Sequence, residues 1–221
     1  MIAALHAQKK TGRPFIIGIC GGSASGKTRL SNRLLKELQS PSVKVLAMDS
    51  FYREFTEEER LLVNEGKFNF DAPQAFDFDL LLKVLKAVQN KEETKVPAYC
   101  FKKHARIEST ESLPKLDILI FEGILAFHDP RVSDLLDAKI FVSASDLVRY
   151  ERRLARDVRE RGRDEEGVKE QYHRFVQPAY ERFIKPCENL ADIVVPSDNN
   201  NDVALNVIVT FLKAKLANLQ L

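Results

Sequence analysis

The chain has 221 residues, 44% of them apolar, enough to bury a sizeable core in one large domain or two small ones. Charged residues make up 30% but nearly cancel, at a formal net charge of +2, so no overall field would hold the chain on nucleic acid or an anionic membrane, and any basic site must be local. No apolar run approaches the roughly 20 residues of a membrane span, and the opening "MIAALHAQKKTGRP" is too short and weakly apolar for a secretory signal, which makes a cytoplasmic chain the expectation.

In chain order, residues 1–13 read as a flexible arm. "PFIIGIC" (14–20) is then the first of five short apolar runs, followed by "VKVLAM" (43–48), "LDILIFE" (116–122), "AKIFVSA" (138–144) and "ADIVVP" (191–196). Such runs suit strands buried on both faces. Helical spacing marks 26–39, 77–90, 145–160, 165–185 and 202–217. The alternation predicts an α/β fold, a parallel sheet flanked by helices. One segment breaks the rhythm: "TKVPAYCFKKHARIES" (94–109) has short alternating pieces and a proline, and is predicted to be a small β-excursion over the ligand edge of the sheet. "PSDNNND" reads as a turn that caps the last helix. With neither repeat nor low-complexity linker, residues 14–221 are expected to form one domain. Cys20, Cys100 and Cys187 lack the pairing of a zinc site and the density of a disulfide scaffold, and are expected to be reduced, buried and small apolar in character.

The first predicted strand runs into "CGGSASGKTRL" (20–30). Gly21-x-x-x-x-Gly26-Lys27-Thr28 fits the P-loop pattern, in which backbone N–H groups and a helix N-terminus surround phosphate oxygens, the lysine neutralises them and the hydroxyl reaches magnesium. The candidate cradle is Gly21, Gly22, Ser23, Ala24, Ser25, Gly26, Lys27, Thr28 and Arg29. Such a loop needs an acidic partner for its magnesium at the end of a neighbouring buried strand. Two strands end that way, in Asp49 and Glu122, at the carboxyl edge where ligands sit in open α/β sheets.

P-loops serve GTPase switches, ATPase motors and small-molecule kinases. A guanine-reading Asn-Lys-x-Asp is missing, since "NKEE" at 90–93 lacks the final aspartate, and this disfavours a switch. A kinase acting on a free hydroxyl needs a base near the γ-phosphate and a cationic lid that excludes water. The lid candidate is "RYERRLARDVRERGRD" (149–164), which carries Arg149, Arg152, Arg153, Arg156, Arg159, Arg161 and Arg163. Tyr150, Leu154 and Val158 recur at i, i+4 and i+8, so that stripe is expected to pack inward and the arginines to face outward or into the cleft. Gly162 breaks the helix and leaves Arg161 and Arg163 on a flexible turn. The competing reading is a solvated helix with Arg156–Glu160 and Asp157–Arg161 pairs of a few tenths of a kcal/mol each. Beside a P-loop, Arg156 and Arg161 join Lys27 and Asp49 as candidates for the chemistry.

Taken in order, "GGSASGKT", "MDSFYREF", "FNFDAPQAFDFD", "VPAYCFKKHAR", "IFEGILAF" and "RRLARDVRERGRD" resemble the uridine-cytidine kinases over about residues 14–213. The resemblance implies transfer of the γ-phosphate of ATP or GTP to the 5′-hydroxyl of uridine or cytidine, with magnesium, in pyrimidine salvage, by a homotetramer that takes a small nucleoside rather than nucleic acid or membrane. It implies that Asp49 is the base, a metal ligand or both, and that Thr28 and Glu122 lie on the magnesium side. It also implies that Asp71, beside Phe70, holds a ribose hydroxyl with Arg153 or Arg156. Tyr99, Phe101, His104 and Arg106 match the residues that recognise and stack on the pyrimidine, Arg163 and Gln171 complete the base site, and Tyr172 is expected as a wall. Phe76 and Phe78 are assigned to the core. A tyrosine hydroxyl and a neutral imidazole can each give or take a hydrogen bond, so Tyr99 and His104 together would accept both pyrimidines. The rival readings are a phosphoribulokinase-like or pantothenate kinase-like enzyme and a nucleotide-binding regulator without turnover.

Overall fold

The computed structural model describes residues 12–101 and 103–219. The N-terminal arm expected over 1–13 therefore falls mostly outside the described residues, but its end is anchored, because Arg13 donates to the carboxylate of Asp137. The five predicted strands form β1 (Phe15–Cys20), β2 (Val43–Ala47), β5 (Ile118–Gly123), β6 (Ala138–Ser143) and β7 (Ile193–Pro196), with β3 (Thr94–Cys100) and β4 (Ala105–Leu113) set apart as an antiparallel hairpin. The five run parallel in the order β2-β5-β1-β6-β7.

Both faces of this sheet are covered, which is why its strands read as unbroken apolar runs. Along β1, Phe15, Ile17 and Ile19 point to a core shared with α1 (Lys27–Leu38) and α8 (Asp202–Leu219), through Leu30, Leu34, Ile208 and Leu212. Ile16 and Cys20 point the other way, to a core built with Leu81, Val84, Leu85 and Val88 of α3 (Phe78–Gln89). Phe76 lies in that second core and Phe78 packs against it. The polar run after β7 ends as expected, since Asn201 accepts from the Ala204 N–H at 3.1 Å and caps α8.

Departures from the sequence reading have identifiable causes. Helix α2 (Glu57–Asn64) was not expected, because it buries none of its residues; a Thr56–Glu59 capping box starts it instead. The short α4 (Pro130–Ser133) was also unforeseen. The hairpin runs past 109 to Leu113, and its register shifts at Pro97/Ala98, where proline has no N–H for the ladder. The single helix expected over 165–185 is instead broken. It begins as α6 (Glu165–Gln171), widens into π-turns at Tyr172–Val176 and Tyr180–Ile184 on either side of the short α7 (Gln177–Ala179), and ends in a 3-10 segment, Lys185–Leu190. Pro178 can neither donate to the helix ladder nor fit beside the preceding turn without widening it. Cys20 and Cys187 are buried free thiols as expected, but Cys100, at the exposed end of β3, is only half-buried.

The arginine helix α5 (Asp146–Arg161) turns Arg152, Arg153 and Arg156 into the cleft as expected, but does not bury the apolar stripe as a whole. Arg149, Arg153 and Asp157 are its buried residues, whereas Val158 is 39% exposed. Tyr150 does pack, against the Tyr172 ring 5.0 Å away, but Leu147 is exposed. The inner face of α5 meets the phosphate loop and a charged cavity rather than an apolar core, so long arginine stems lie inward and apolar side chains are left outside. Among the described residues, no helix is long and apolar enough to cross a membrane.

Candidate active site

After Cys20 the chain turns through Gly21 at φ 151°, where a Cβ would stand 2.4 Å from the Val142 carbonyl oxygen. Only glycine fits so close to a neighbouring strand. The Ser25 N–H closes the loop onto the Gly22 carbonyl at 3.0 Å, and Gly26, left-handed at φ 104°, starts α1. Lys27 Nζ donates to the Gly22 carbonyl at 2.9 Å. Burial lowers the Lys27 pKa from its ordinary value, and the charge of Glu122 opposes that shift. Together, backbone N–H groups, a helix N-terminus and a buried ammonium form an anion cradle.

The sheet register brings the two strand-end carboxylates to one edge. Glu122 lies opposite both Ile19 and Ala47, and the 3-10 turn Met48–Phe51 that continues β2 carries Asp49. The Asp49 pKa is raised to about 6, first by burial and then by the charge of Glu122, while Lys27, Arg161 and Arg156 pull it down. Thr28 Oγ1 donates to Glu122 Oε1 at 2.7 Å. Among the described residues no cluster of three His, Cys, Asp or Glu could hold a metal alone. The hydroxyl and carboxylates of Thr28, Glu122 and Asp49 are hard oxygen donors, which fit a magnesium ion that takes its remaining ligands from phosphate and water.

A cavity of about 520 Å³ opens from this edge and joins the two halves of the predicted site. Ser23, Ala24, Gly26, Lys27, Thr28, Arg29, Asp49 and Glu122 line one end, and Phe70, Asp71, Tyr99, Phe101 and His104 the other. Gly21, Gly22 and Ser25 stand behind the lining as loop backbone. The hairpin tip turns through His104 at φ 48° and stacks its imidazole on Phe70, 4.9 Å between centroids and 29° apart. Burial and the nearby Arg163 and Arg161 charges lower the His104 pKa below its ordinary value. The Tyr99 hydroxyl is buried and has no hydrogen-bond partner among the described residues, a costly state that a polar ligand edge would relieve. Asp71 is 5% exposed, with Arg153 Nη1 3.9 Å away.

Arg153, Arg156, Arg161 and Arg163 line the same cavity. Arg153 bonds Ser23 Oγ at 2.9 Å and so ties α5 to the phosphate loop. Arg161 lies over the Phe101 ring, 4.7 Å from its centroid, a cation–π contact between hairpin and arginine helix. Gly162 ends α5 at φ 65°, yet the arginines around it are held rather than loose: Arg163 donates to Gln171 Oε1 at 2.9 Å.

Three matched residues stand elsewhere. Gln171 is outside the lining and reaches the site only by accepting from Arg153 and Arg163. Tyr172 is not a wall: its ring is fully buried and its hydroxyl donates to Asp146 at 2.8 Å, because the π-turn rotates it behind α5. Arg106 is paired with Asp77 at 3.1 Å, beside the cap of α3. Conversely, Ser50 and Tyr52 line the cavity without having been singled out, and Arg152, expected only as one of the lid arginines, lines it as well. Tyr52 lay within the quoted "MDSFY", where its signal was legible; its hydroxyl donates to the Phe70 carbonyl at 3.2 Å. A second, smaller cavity of about 240 Å³ shares Gly26, Arg29 and Arg152 with the first and continues past Arg33, Ser197 and Asn199–Asn201. Its polar turn after β7 read only as a cap, since nothing in "PSDNNND" marks proximity to the phosphate loop.

The family model described as "Phosphoribulokinase / Uridine kinase family" matches residues 16–204. The chain is 44% identical over 207 residues to "Uridine-cytidine kinase-like 1" of Mus musculus, covering 94% of this chain but 38% of that protein. It is 41% identical over 204 residues to "Uridine-cytidine kinase B" of Dictyostelium discoideum, covering 92% of this chain and 83% of that protein. The chain thus spans well under half the length of the first relative and most of the second. The solved phosphoribulokinase from Rhodobacter spheroides superposes with a TM-score of 0.64 at 15% identity, over 84% of this chain and 71% of that one, a likeness of fold.

Proposed function

The chain belongs to the phosphoribulokinase and uridine kinase family, and we propose that within it this protein is a uridine-cytidine kinase, transferring the γ-phosphate of ATP or GTP to the 5′-hydroxyl of uridine or cytidine. The observation that carries the reading is one cavity in which an anion cradle, the carboxylates of Asp49 and Glu122, and an aromatic wall converge, with the buried Tyr99 hydroxyl unpartnered among the described residues. A sugar phosphate or pantothenate would have no use for that wall.

In this reading the donor phosphates lie in the loop of Gly21 to Arg29, and Lys27 neutralises them. The rest of the donor nucleotide extends into the smaller cavity that adjoins Arg29. The pyrimidine lies against Phe70, Phe101 and His104, with its polar edge toward Tyr99 and His104, and Asp71 accepts hydrogen bonds from the ribose. Asp49 accepts the proton of the 5′-hydroxyl. Its raised pKa favours that task, although a loose transition state asks more of it for orientation than for basicity. Thr28, Glu122 and Asp49 would hold magnesium, which when bound neutralises charge on the phosphates. Arg156 and Arg161 offset the charge that develops on the transferring group, and the arginines exclude water from the closed site. Pyrimidine salvage by a homotetramer completes the proposal on the family resemblance, in the cytoplasm on the weakly apolar sequence.

An ADP-release assay against uridine, cytidine, deoxycytidine, adenosine and pantothenate tests it. Turnover with uridine and cytidine above adenosine and pantothenate is expected; turnover with pantothenate alone, or with none of the panel, would overturn it.

A further inference from the structure

We infer that Asp157 is a positioning residue that gathers Arg153, Arg156, Arg161 and Arg163, four of the arginines that line the cavity, into one cluster and sets where their charge points. Its side chain is 0% exposed and outside the cavity lining, so it would act only through its neighbours. Asp157 Oδ1 accepts from Arg156 Nε at 2.8 Å and lies 3.4 Å from Arg161 Nη1, while Oδ2 lies 3.5 Å from both Arg153 Nε and Arg163 Nη1. Its backbone carbonyl accepts the N–H groups of Gly162 and Arg163. One residue therefore holds the turn that returns Arg163 to the cavity and meets all four guanidinium groups.

The spacing explains the assembly. Arg153 and Arg161 lie four residues before and after Asp157, hence on its face of the helix. The left-handed Gly162 ends the helix just where Arg163 can fold back. Guanidinium groups stay charged at any ordinary pH, so four of them around one corner repel one another unless an anion sits among them. Burial disfavours the ionised carboxyl, but Arg156, Arg153 and Arg161 outweigh it and hold the Asp157 pKa below its usual range. Asp157 and, on the cavity side, Asp71, 3.9 Å from Arg153 Nη1, together carry too little negative charge to neutralise four guanidinium groups. The remainder faces the cavity, on the side of Ser23 and the phosphate loop.

This inference rests on the kinase reading for its effect on turnover but not for its effect on anion binding, and the experiment separates the two. Asp157→Asn is compared with wild type, alone and combined with Arg161→Gln, by nucleoside kinetics and by calorimetry of a non-hydrolysable ATP analogue with magnesium. Asp157→Asn is expected to lower kcat at least tenfold and weaken the analogue at least fivefold, yet to cost less than threefold more in kcat when Arg161 is already gone, because residues acting as a unit are not additive. A merely structural role would give equal losses in both backgrounds, and that result would overturn the inference, as would an Asp157→Asn protein within twofold of wild type in both measurements. If the wild type phosphorylates no nucleoside, the proposed function fails and the analogue affinities alone decide for or against Asp157. If Asp157→Asn does not fold, the wild type still tests the cluster by arginine Nε–H NMR. A slowly exchanging signal that disappears in Arg156→Lys is expected, and its absence from the wild type would contradict the hub.

Discussion

Thr28 Oγ1 donates a 2.7 Å hydrogen bond to Glu122 Oε1, joining the first turn of the phosphate-loop helix to the end of the central neighbour strand β5. The contact holds two of the proposed magnesium groups together across 94 residues of sequence. Glu122→Gln keeps the size and an acceptor but removes the charge. It is expected to raise the magnesium concentration for half-maximal rate at least tenfold, while donor affinity measured without magnesium changes less than threefold. Rates titrated against magnesium check this, and an unchanged midpoint would remove Glu122 from the metal side.

Asp49 lies in the 3-10 turn that follows β2, with its pKa raised to about 6. Asp49→Asn is expected to bind uridine within a few-fold of wild type by calorimetry and to lose about 10²–10⁴ in kcat, the usual worth of a positioned general base. Near wild-type turnover would take Asp49 out of the chemistry.

His104 has its pKa below the ordinary imidazole value near 6.5. The neutral ring is thus favoured in the folded chain, which between the lowered value and ~6.5 binds fewer protons than the unfolded chain does. Stability from this residue is full above the ordinary value, falls as pH drops through it, and is least once pH is below the folded value. The His104 ring signal followed by NMR should titrate below pH 6.5, and His104→Ala should flatten the acid side of the uridine KM profile. A midpoint above 6.5 would contradict the desolvated, arginine-flanked placement.

Gly21→Ala would drive a Cβ to within 2.4 Å of the Val142 backbone oxygen, at a φ of 151° that side chains rarely adopt. A cost of about 1–3 kcal/mol is expected from the strained backbone, with a donor KM raised at least tenfold because the loop itself must move. Thermal melting and donor titration check both parts.

How much could be read beforehand depended on what each residue packs against. The five strands of the sheet, α1, α3 and α8 were legible because they bury apolar side chains in repeating positions, as Leu30, Leu34 and Leu38 do on α1. The loop from Gly21 to Thr28 was legible because its backbone chemistry needs glycines at fixed places. Helix α5 and its cleft-facing arginines were legible, but its buried face was not: periodicity assigns the apolar stripe to the inside, whereas Arg149, Arg153 and Asp157 are the buried residues. Tyr172 turned away because the π-turn that begins at it alters the rotation per residue, and that widening leaves no mark in hydrophobic spacing. Asp157 read as half of a surface pair, since nothing local shows that residues on both sides of a glycine turn meet it.

Incubating the purified protein with ATP, magnesium and uridine and identifying the product by mass and 31P NMR shows whether the cavity phosphorylates a nucleoside at its 5′-hydroxyl. Uridine 5′-monophosphate is expected in amounts matching the ADP released, formed by Asp49→Asn at least about a hundredfold more slowly under the same conditions. ATP bound tightly by a folded protein with no uridine monophosphate formed, or phosphate appearing on a different hydroxyl, would contradict the proposed kinase activity.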